Sequence, residues 1–427
     1  MSEVQGEGIS HEHDVGTYDG SKGTPVKKNL VKFAVIGAAA AVLPVIGAGA
    51  AFADYAPQPD DIVGVGGDTP QFAVDSIING DTAGHLGFDN AVGVNRVVYF
   101  DASGDANGRQ TYTSNVTTGV NSTLLNPTVV LRAGDNPVQR PQSSGAALAA
   151  LEADEGTADE TESTINFSAG ASAPVSPTNV PNGGLDYVKF GTDSIKIAVN
   201  SGTGGTNAPA GLSALELAHI YNGTWTTWGA VATAGASNSG DTIYAEIPTS
   251  TSSIYTKFIA ALTAALPSFS LSGTFVHTVE QNDPGTITGA PNPADAIAPF
   301  SNARLNLWND GYFYNPATVF PGASSPLSPN ISLLTGTAAD NSPSLSVSLT
   351  DYFIFRASDA ALSGTAHPYE PGGTLNWVQT LFYNSAWTPG STTVPAPFID
   401  TSTGQALIAS SGVTPIANPN ATFTNVS

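Results

Sequence analysis

The sequence predicts an α/β fold, and three observations predict it. Strand-like and helix-like stretches alternate along most of the chain. Its 427 residues are enough for a sizeable core and two domains. No repeat of fixed period interrupts the alternation. Such a pattern implies a mixed or parallel sheet with helices on both faces.

The elements follow in order. Residues 1–26 are polar and read as disordered. "KKNLVKFAVIGAAAAVLPVIGAGAAFADYAP" then has a basic start (Lys27, Lys28, Lys32), an apolar run from Phe33 to Ala51, and Ala51-Phe52-Ala53 as an A-x-A site. It reads as a secretory signal peptide over residues 1–53, with an uncleaved membrane anchor as the competing reading. His11 and His13 fall in the discarded part, so no metal site is expected. "DIVGVG" reads as a strand, and "QFAVDSIING" as a helix stopped by Gly80. "NRVVYFDASG" and "TVVLRAG" are strands, and "SSGAALAALEAD" is a helix with a serine start. "EADEGTADETES" is an acidic, solvated loop. "INFSAGASAP" is a strand and a small-residue turn.

"LDYVKFGTDSIKIAVN" reads as two strands around a Gly/Asp turn, and "SGTGGTNAPAG" as a flexible link. "LSALELAHIYNGTWTTWGAV" is a capped helix followed by an aromatic hook. "TIYAEIP" is a strand, and "TSTSSIYTKFIAALTAAL" a Ser/Thr-rich loop feeding a helix. "ADAIAPFSNARLNLW" and "DYFIFRAS" read as strands with loops, and "TLNWVQTLFYN" as a late helix.

Composition narrows the function. Hydrophobic residues are 41% of the chain and charged residues 11%, which fits a globular, loop-rich protein. The net charge of −22 argues against nucleic acid, because no basic stripe exists to displace counterions. The absence of cysteine excludes disulfides, thiolate chemistry, zinc–cysteine sites and cysteine lipidation. No G-x-S-x-G elbow is present, so a secreted hydrolase ranks below a binding protein and the chain is read as no enzyme.

Three loops share one grammar of strand, small polar residues and helix. They are Gly64-Val65-Gly66-Gly67-Asp68-Thr69, Gln142-Ser143-Ser144-Gly145 and Thr249-Ser250-Thr251-Ser252-Ser253. Each can place hydroxyls and N–H groups at a helix start, where an anion is favoured. Each taken alone is also an ordinary helix cap. The first misses the G-x-G-x-x-G spacing, so no dinucleotide site is expected.

In their order along the chain these segments resemble the phosphate-binding proteins of ABC phosphate-uptake systems, and within them the secreted actinobacterial branch. "DIVGVGGDTPQF" is similar to the family's first ligand loop, "RPQSSGAALAAL" to its G-S-G-x-G helix start, and "INFSAGASAP" to its phenylalanine and ligand turn. "LSALELAHIYNGTWTTWGAV" is the sharpest match, to the element L-S-x-x-x-(L)-x-x-I-(F/Y)-x-G-x-x-x-x-W. "IPTSTSSIYTKF" stands at its S-G-T helix start, and "AIAPFSNARL" at a later core strand. The likeness covers most of residues 60–310. It implies a two-lobed class II periplasmic-binding-protein-like fold with mixed sheets, flanking helices and a cleft between the lobes. Lobe 1 would be residues 57–180 plus 300–427, and lobe 2 residues 185–295.

The resemblance also implies a ligand, inorganic phosphate or a related tetrahedral oxyanion, and a set of residues. Ser144 matches the ligand serine of the second loop and Gly145 its neighbour. Ser252 matches that of the third, where the family's Gly and Thr are Ser253 and Ile254 here. The family's Thr-Phe pair falls on Asp68 and Thr69. The expected ligand set is Asp68, Thr69, Ser144, Gly145, Ser252 and Ser253, with no metal and no cofactor. Three family residues are missing, one of them the aspartate whose position is Ser250 here. The arginine position is Pro248, with Arg140 as a replacement or as a mere surface residue beside a proline. The proton-accepting acid is Ser172 or Ala171. Asp68 could replace that acid, favouring a protonated anion over sulfate, or could cap its own helix. Trp225 and Trp228 are expected to pack on Leu212–Tyr221, and His219, His277 and His367 carry no chemistry. The implied protein is secreted or wall-associated, a monomer, and partnered by an ABC permease. The alternative is a cell-surface or matrix protein that keeps the fold without phosphate transport.

Overall fold

A computed structural model describes residues 57–426, apart from 59–60, 82, 92–95, 101, 103–127, 142, 155–163, 175–183, 232–239, 251, 311–328 and 362–374. The leader, the acidic loop and His367 lie outside the described residues. Among the described residues no helix is long and apolar enough to cross a membrane.

The strands are β1 Ile62–Gly66, β2 Val97–Phe100, β3 Thr128–Val129, β4 Val138–Gln139, β5 Phe167–Gly170, β6 Leu185–Asn200 and β7 Tyr244–Pro248. They continue with β8 Val276–Val279, β9 Ala296–Ser301, β10 Ile331–Leu333, β11 Val347–Arg356, β12 Thr414–Pro415 and β13 Thr424–Val426. The helices are α1 Gln71–Asn79, α2 Phe88–Ala91, α3 Ser144–Asp154, α4 Ala214–Tyr221, α5 Trp228–Val231 and α6 Ser253–Ala265. Then follow α7 Pro284–Thr288, α8 Asn302–Asn309, α9 Ala357–Ala361, α10 Trp377–Leu381 and α11 Ser402–Ser410. The class is mixed α/β.

One mixed sheet runs β2-β1-β5-β11-β6-β9-β7-β8. Its outer strands pair in parallel, β1 with β2 and β5, and β7 with β8 and β9. Its middle strands β5, β11, β6 and β9 pair antiparallel. The 16-residue β6 is the spine: one edge takes β11 and then β10, the other takes β13, β12 and then β9.

Side-chain alternation builds separate cores at the two ends of this sheet. At one end Ile62, Phe167, Phe190, Phe353 and Phe382 pack on one face, and Val63, Val65, Leu151 and Ile354 on the other. At the other end Ile197, Tyr221, Trp228, Ile247 and Phe258 form one core, and Ala198, Ile287, Phe300 and Ile331 its counterpart. Each fully buried side chain of this size contributes roughly 2 kcal/mol. Ala171, Ile195, Ile254 and Leu349 join the halves at the middle.

Three expectations are corrected. The two strands expected around Gly191 are one strand: the register of β6 against β11 shifts between Asp351 and Tyr352, a bulge that absorbs the extra residue. Gly191 itself serves close packing, since a Cβ there would lie 2.3 Å from a Val413 methyl. The loop expected after "AIAPFS" is helix α8, capped by the Ser301 hydroxyl, which accepts the Arg304 N–H at 3.0 Å. Leu334 and Leu345 pack into the second core, although residues 300–427 were expected to join the first.

The aromatic hook packs as expected. Trp228 is fully buried and donates its indole N–H to Asp295 at 2.7 Å. Trp225 lies 4.6 Å from the His219 ring.

Candidate functional site

The first loop leaves β1 and turns at Gly67, whose N–H donates to Ala169 O at 2.9 Å. A Cβ on Gly67 would stand 2.4 Å from Ser144 Oγ. Glycine is therefore needed for close approach of this loop to the start of α3. There the Ser143 hydroxyl accepts the Ala146 N–H at 3.1 Å, the usual bond of a capping residue. Ser144 follows in the first turn, buried, and its Oγ accepts the Ala171 N–H at 3.1 Å. Gly145 is exposed.

The third loop starts α6. Ser252 is the N-cap, and its Oγ accepts the Tyr255 N–H. The same hydroxyl donates to Gln281 Oε1. Ser253 Oγ lies 3.4 Å from Thr69 Oγ1, joining the third loop to the first. Asp68, Thr69, Ser144, Ser252 and Ser253 are all buried. They form a connected set: Gly67 touches Ser144, Thr69 touches Ser253, and Gln281 links Asp68 and Thr69 to Ser252.

Asp68 does not occupy the cap of α1. Pro70 takes that position, and the Asp68 carboxylate turns elsewhere. Its Oδ1 accepts both terminal nitrogens of Arg304 at 3.2 Å, and its Oδ2 accepts Gln281 Nε2 at 3.1 Å and Asn282 Nδ2 at 2.7 Å. Arg304 also donates to Asp68 O at 2.7 Å and lies 4.2 Å over the Phe72 ring. A carboxylate offers about four acceptor positions, and here four donors fill them. Asp68 is thus committed, with no lone pair left for a ligand's proton. The expectation that it would accept one is corrected on that ground.

Arg140 is buried, not a surface residue. The guanidinium against Asp68 is Arg304, a residue that sequence reasoning passed over together with Gln281 and Asn282. Asn282 also accepts the Ser301 N–H at 2.9 Å, so one amide ties Asp68 to the start of α8. Asp193 anchors the same helix start, accepting from the Ser301 hydroxyl and from Ala303 N at 2.8 Å. Burial raises the Asp193 carboxyl above its usual range, while these bonds and Arg304 pull it back.

Other groups near the site differ in kind. Glu246 on β7 is buried and pushed up to about 8, chiefly by desolvation and also by Asp283. A pocket of about 320 Å³ lies along β6 and reaches the start of α8, lined by Thr192, Asp193, Ser194, Asn302, Ser346 and Thr414 among others; the Ser144 and Ser252 loops do not line it. Among the described residues no group of three or more His, Asp or Glu side chains could hold a metal ion.

The geometry defines a class: a two-ended mixed α/β sheet with polar helix starts gathered at its middle. No family model and no curated protein matches the chain. Solved structures similar to it include a proposed phosphate ABC transporter substrate-binding protein with bound phosphate from Clostridium perfringens. It is 10% identical with a TM-score of 0.42, over 83% of this chain and 99% of that one. An ABC-type phosphate transport receptor from Vibrio cholerae is 10% identical with a score of 0.39, over 83% and 99%. A phosphate-binding protein from Stenotrophomonas maltophilia is 14% identical with a score of 0.39, over 84% and 91%. At such identities and scores the ligand has to be argued from this chain's own side chains.

Proposed function

We propose that this chain is an exported, non-enzymatic solute receptor that binds phosphate or a related tetrahedral oxyanion between the two ends of its sheet. Thr69, Ser144, Ser252 and Ser253 supply hydroxyls. Gly145 and the starts of α3 and α6 supply N–H groups, and the Asp68–Arg304 pair fixes the wall between them. The single observation that supports this reading is the meeting at one buried place of three polar loops, the first and third 184 residues apart in sequence. Neutral donors at helix starts are what a desolvated oxyanion needs. Residues 57–180 and 185–295 would then move as lobes about β6 and β11, with the remainder of the chain shared between them. The leader 1–53 would direct export to the outside or the wall, and an ABC permease would receive the ligand from a monomeric receptor.

Calorimetric titration with phosphate at low salt tests the reading. Heat and a raised melting temperature are expected. Neither at millimolar phosphate would remove it.

A second reading has its own observation. Asp68 and Ser252 are already bonded to Gln281, so the loops can be a purely structural clasp. A surface or matrix protein that keeps the fold without a ligand would look like this, and it gives no heat in the same titration.

A further inference from the structure

Asp351 on β11 is wholly buried, and both of its carboxylate oxygens lack a hydrogen-bond partner among the described residues. An unpaired buried acid costs free energy that an apolar residue of similar size does not. Its place in the fold is specific. Asp351 pairs with Gly191 of β6, and Tyr352 with Gly170 of β5, so the next step along sets Asp351 beside Ala171. Alternation puts its side chain on the sheet face of Leu349 and Phe353. On that face Leu349 packs with Ala171 and Ile254. The Ala171 N–H is bonded to Ser144 Oγ, and Ile254 directly follows Ser252 and Ser253. Asp351 therefore stands beside the turn after β5, on the sheet face where its neighbour Leu349 meets Ala171 and the first turn of α6.

We propose that Asp351 is a ligand-contacting residue, the floor of the oxyanion site, and that it gives the anion a hydrogen bond. This rests on the receptor reading above. The charged groups around it are Asp193, opposite Leu349 on β6, and beyond Asp193 the Arg304–Asp68 pair. β5 and α6 present Ala171 and Ile254, and the segment before β12 brings Val413 against Gly191. Burial, and then the negative charge of Asp193, hold the Asp351 proton well above the ordinary carboxylate range. A neutral carboxyl is a donor. With Asp68 saturated and the Ser252 hydrogen given to Gln281, the Thr69, Ser144 and Ser253 hydroxyls, the helix-start N–H groups and the Asp351 carboxyl are the donors left for the ligand. A site weighted towards donors favours sulfate, which carries no proton of its own, over the phosphate dianion, which still carries one. That selectivity is the reverse of the one inferred from Asp68 in the sequence.

Sulfate is the useful probe, because it does not titrate near neutrality. Wild type, Asp351→Asn and Asp351→Leu are titrated with sulfate and with phosphate at about pH 6 and about pH 9, and melted without ligand. Asp351→Leu is expected to weaken sulfate at least about tenfold while raising the melting temperature, as expected for an acid kept for binding. Asp351→Asn, still a donor, is expected to hold affinity within about threefold. Wild-type sulfate affinity falls more steeply as pH rises than that of Asp351→Asn, which keeps only the decline set by the other carboxyls. Unchanged affinity in Asp351→Leu overturns the assignment, and so does phosphate binding by a wild type that ignores sulfate. If Asp351→Leu fails to fold, the Asp351→Asn pH profile decides: a slope equal to wild type overturns it. A wild type that binds neither anion removes the receptor reading and this assignment together.

Discussion

Asp68 and Arg304 are 3% and 2% exposed, so neither charge is met by bulk water. The carboxylate is held by a guanidinium and two amides, and the guanidinium rests on Phe72. The arrangement compensates a desolvation penalty more than it adds stability. Removing one partner is therefore costly and removing both is not. Arg304→Met is expected to lose about 3–5 kcal/mol of unfolding free energy, because Asp68 stays buried and uncompensated. Adding Asp68→Asn should restore a large part of it. Urea unfolding of the two single variants and the double variant measures this, and strict additivity would contradict the pairing.

At the scale of elements, helix starts decide the site. Ser213 and Glu216 form a capping box on α4, Ser252 caps α6 and Ser301 caps α8. The first two were legible because a cap is a local signal, a serine just ahead of an apolar run. α8 was not. Its buried apolar residues Ala303, Leu305 and Leu307 alternate with a period of two, so the segment mimics a strand and hides Arg304. Asp351 was hidden in the opposite way. An acid at the head of an apolar stretch reads as solvent-facing, and only the pairing of β11 between β5 and β6 buries it. The glycines of "DIVGVGG" suggested an anion cradle, yet Gly67 is required by the backbone and hydroxyl of Ser144. Gly67→Ala places a Cβ 2.7 Å from Ser144 N and 2.4 Å from its Oγ. It should cost about 1–3 kcal/mol and abolish phosphate heat by moving α3 off the loop. Gly273→Ala, which meets nothing within 4 Å, is the control and should change neither.

For the whole molecule, the alternation of strand-like and helix-like stretches made the mixed α/β class visible in sequence. The single spine was not, because Gly191-Thr192-Asp193 has turn composition and only the bulge opposite Asp351 and Tyr352 carries the strand through. Burying polar residues around that spine has a global consequence. Glu246 is raised to about 8, and Asp89, Asp359 and Asp400 to about 6, each chiefly by desolvation. Asp186, Asp193 and Asp351 shift upward as well. A carboxyl raised in the folded state keeps its proton after the unfolded chain has lost its own. Stability is then fully present below the unfolded values near pH 4, and it declines as pH rises through about 6 and on to about 8. The net charge of −22 acts in the same direction, since self-repulsion grows as carboxyls ionise. The melting temperature at constant ionic strength should therefore be higher near pH 5 than near pH 8, with Glu246→Gln removing part of the slope. Calorimetric scans of both proteins across that range measure it. A melting temperature that rises with pH would mean that these acids are ionised in the folded protein.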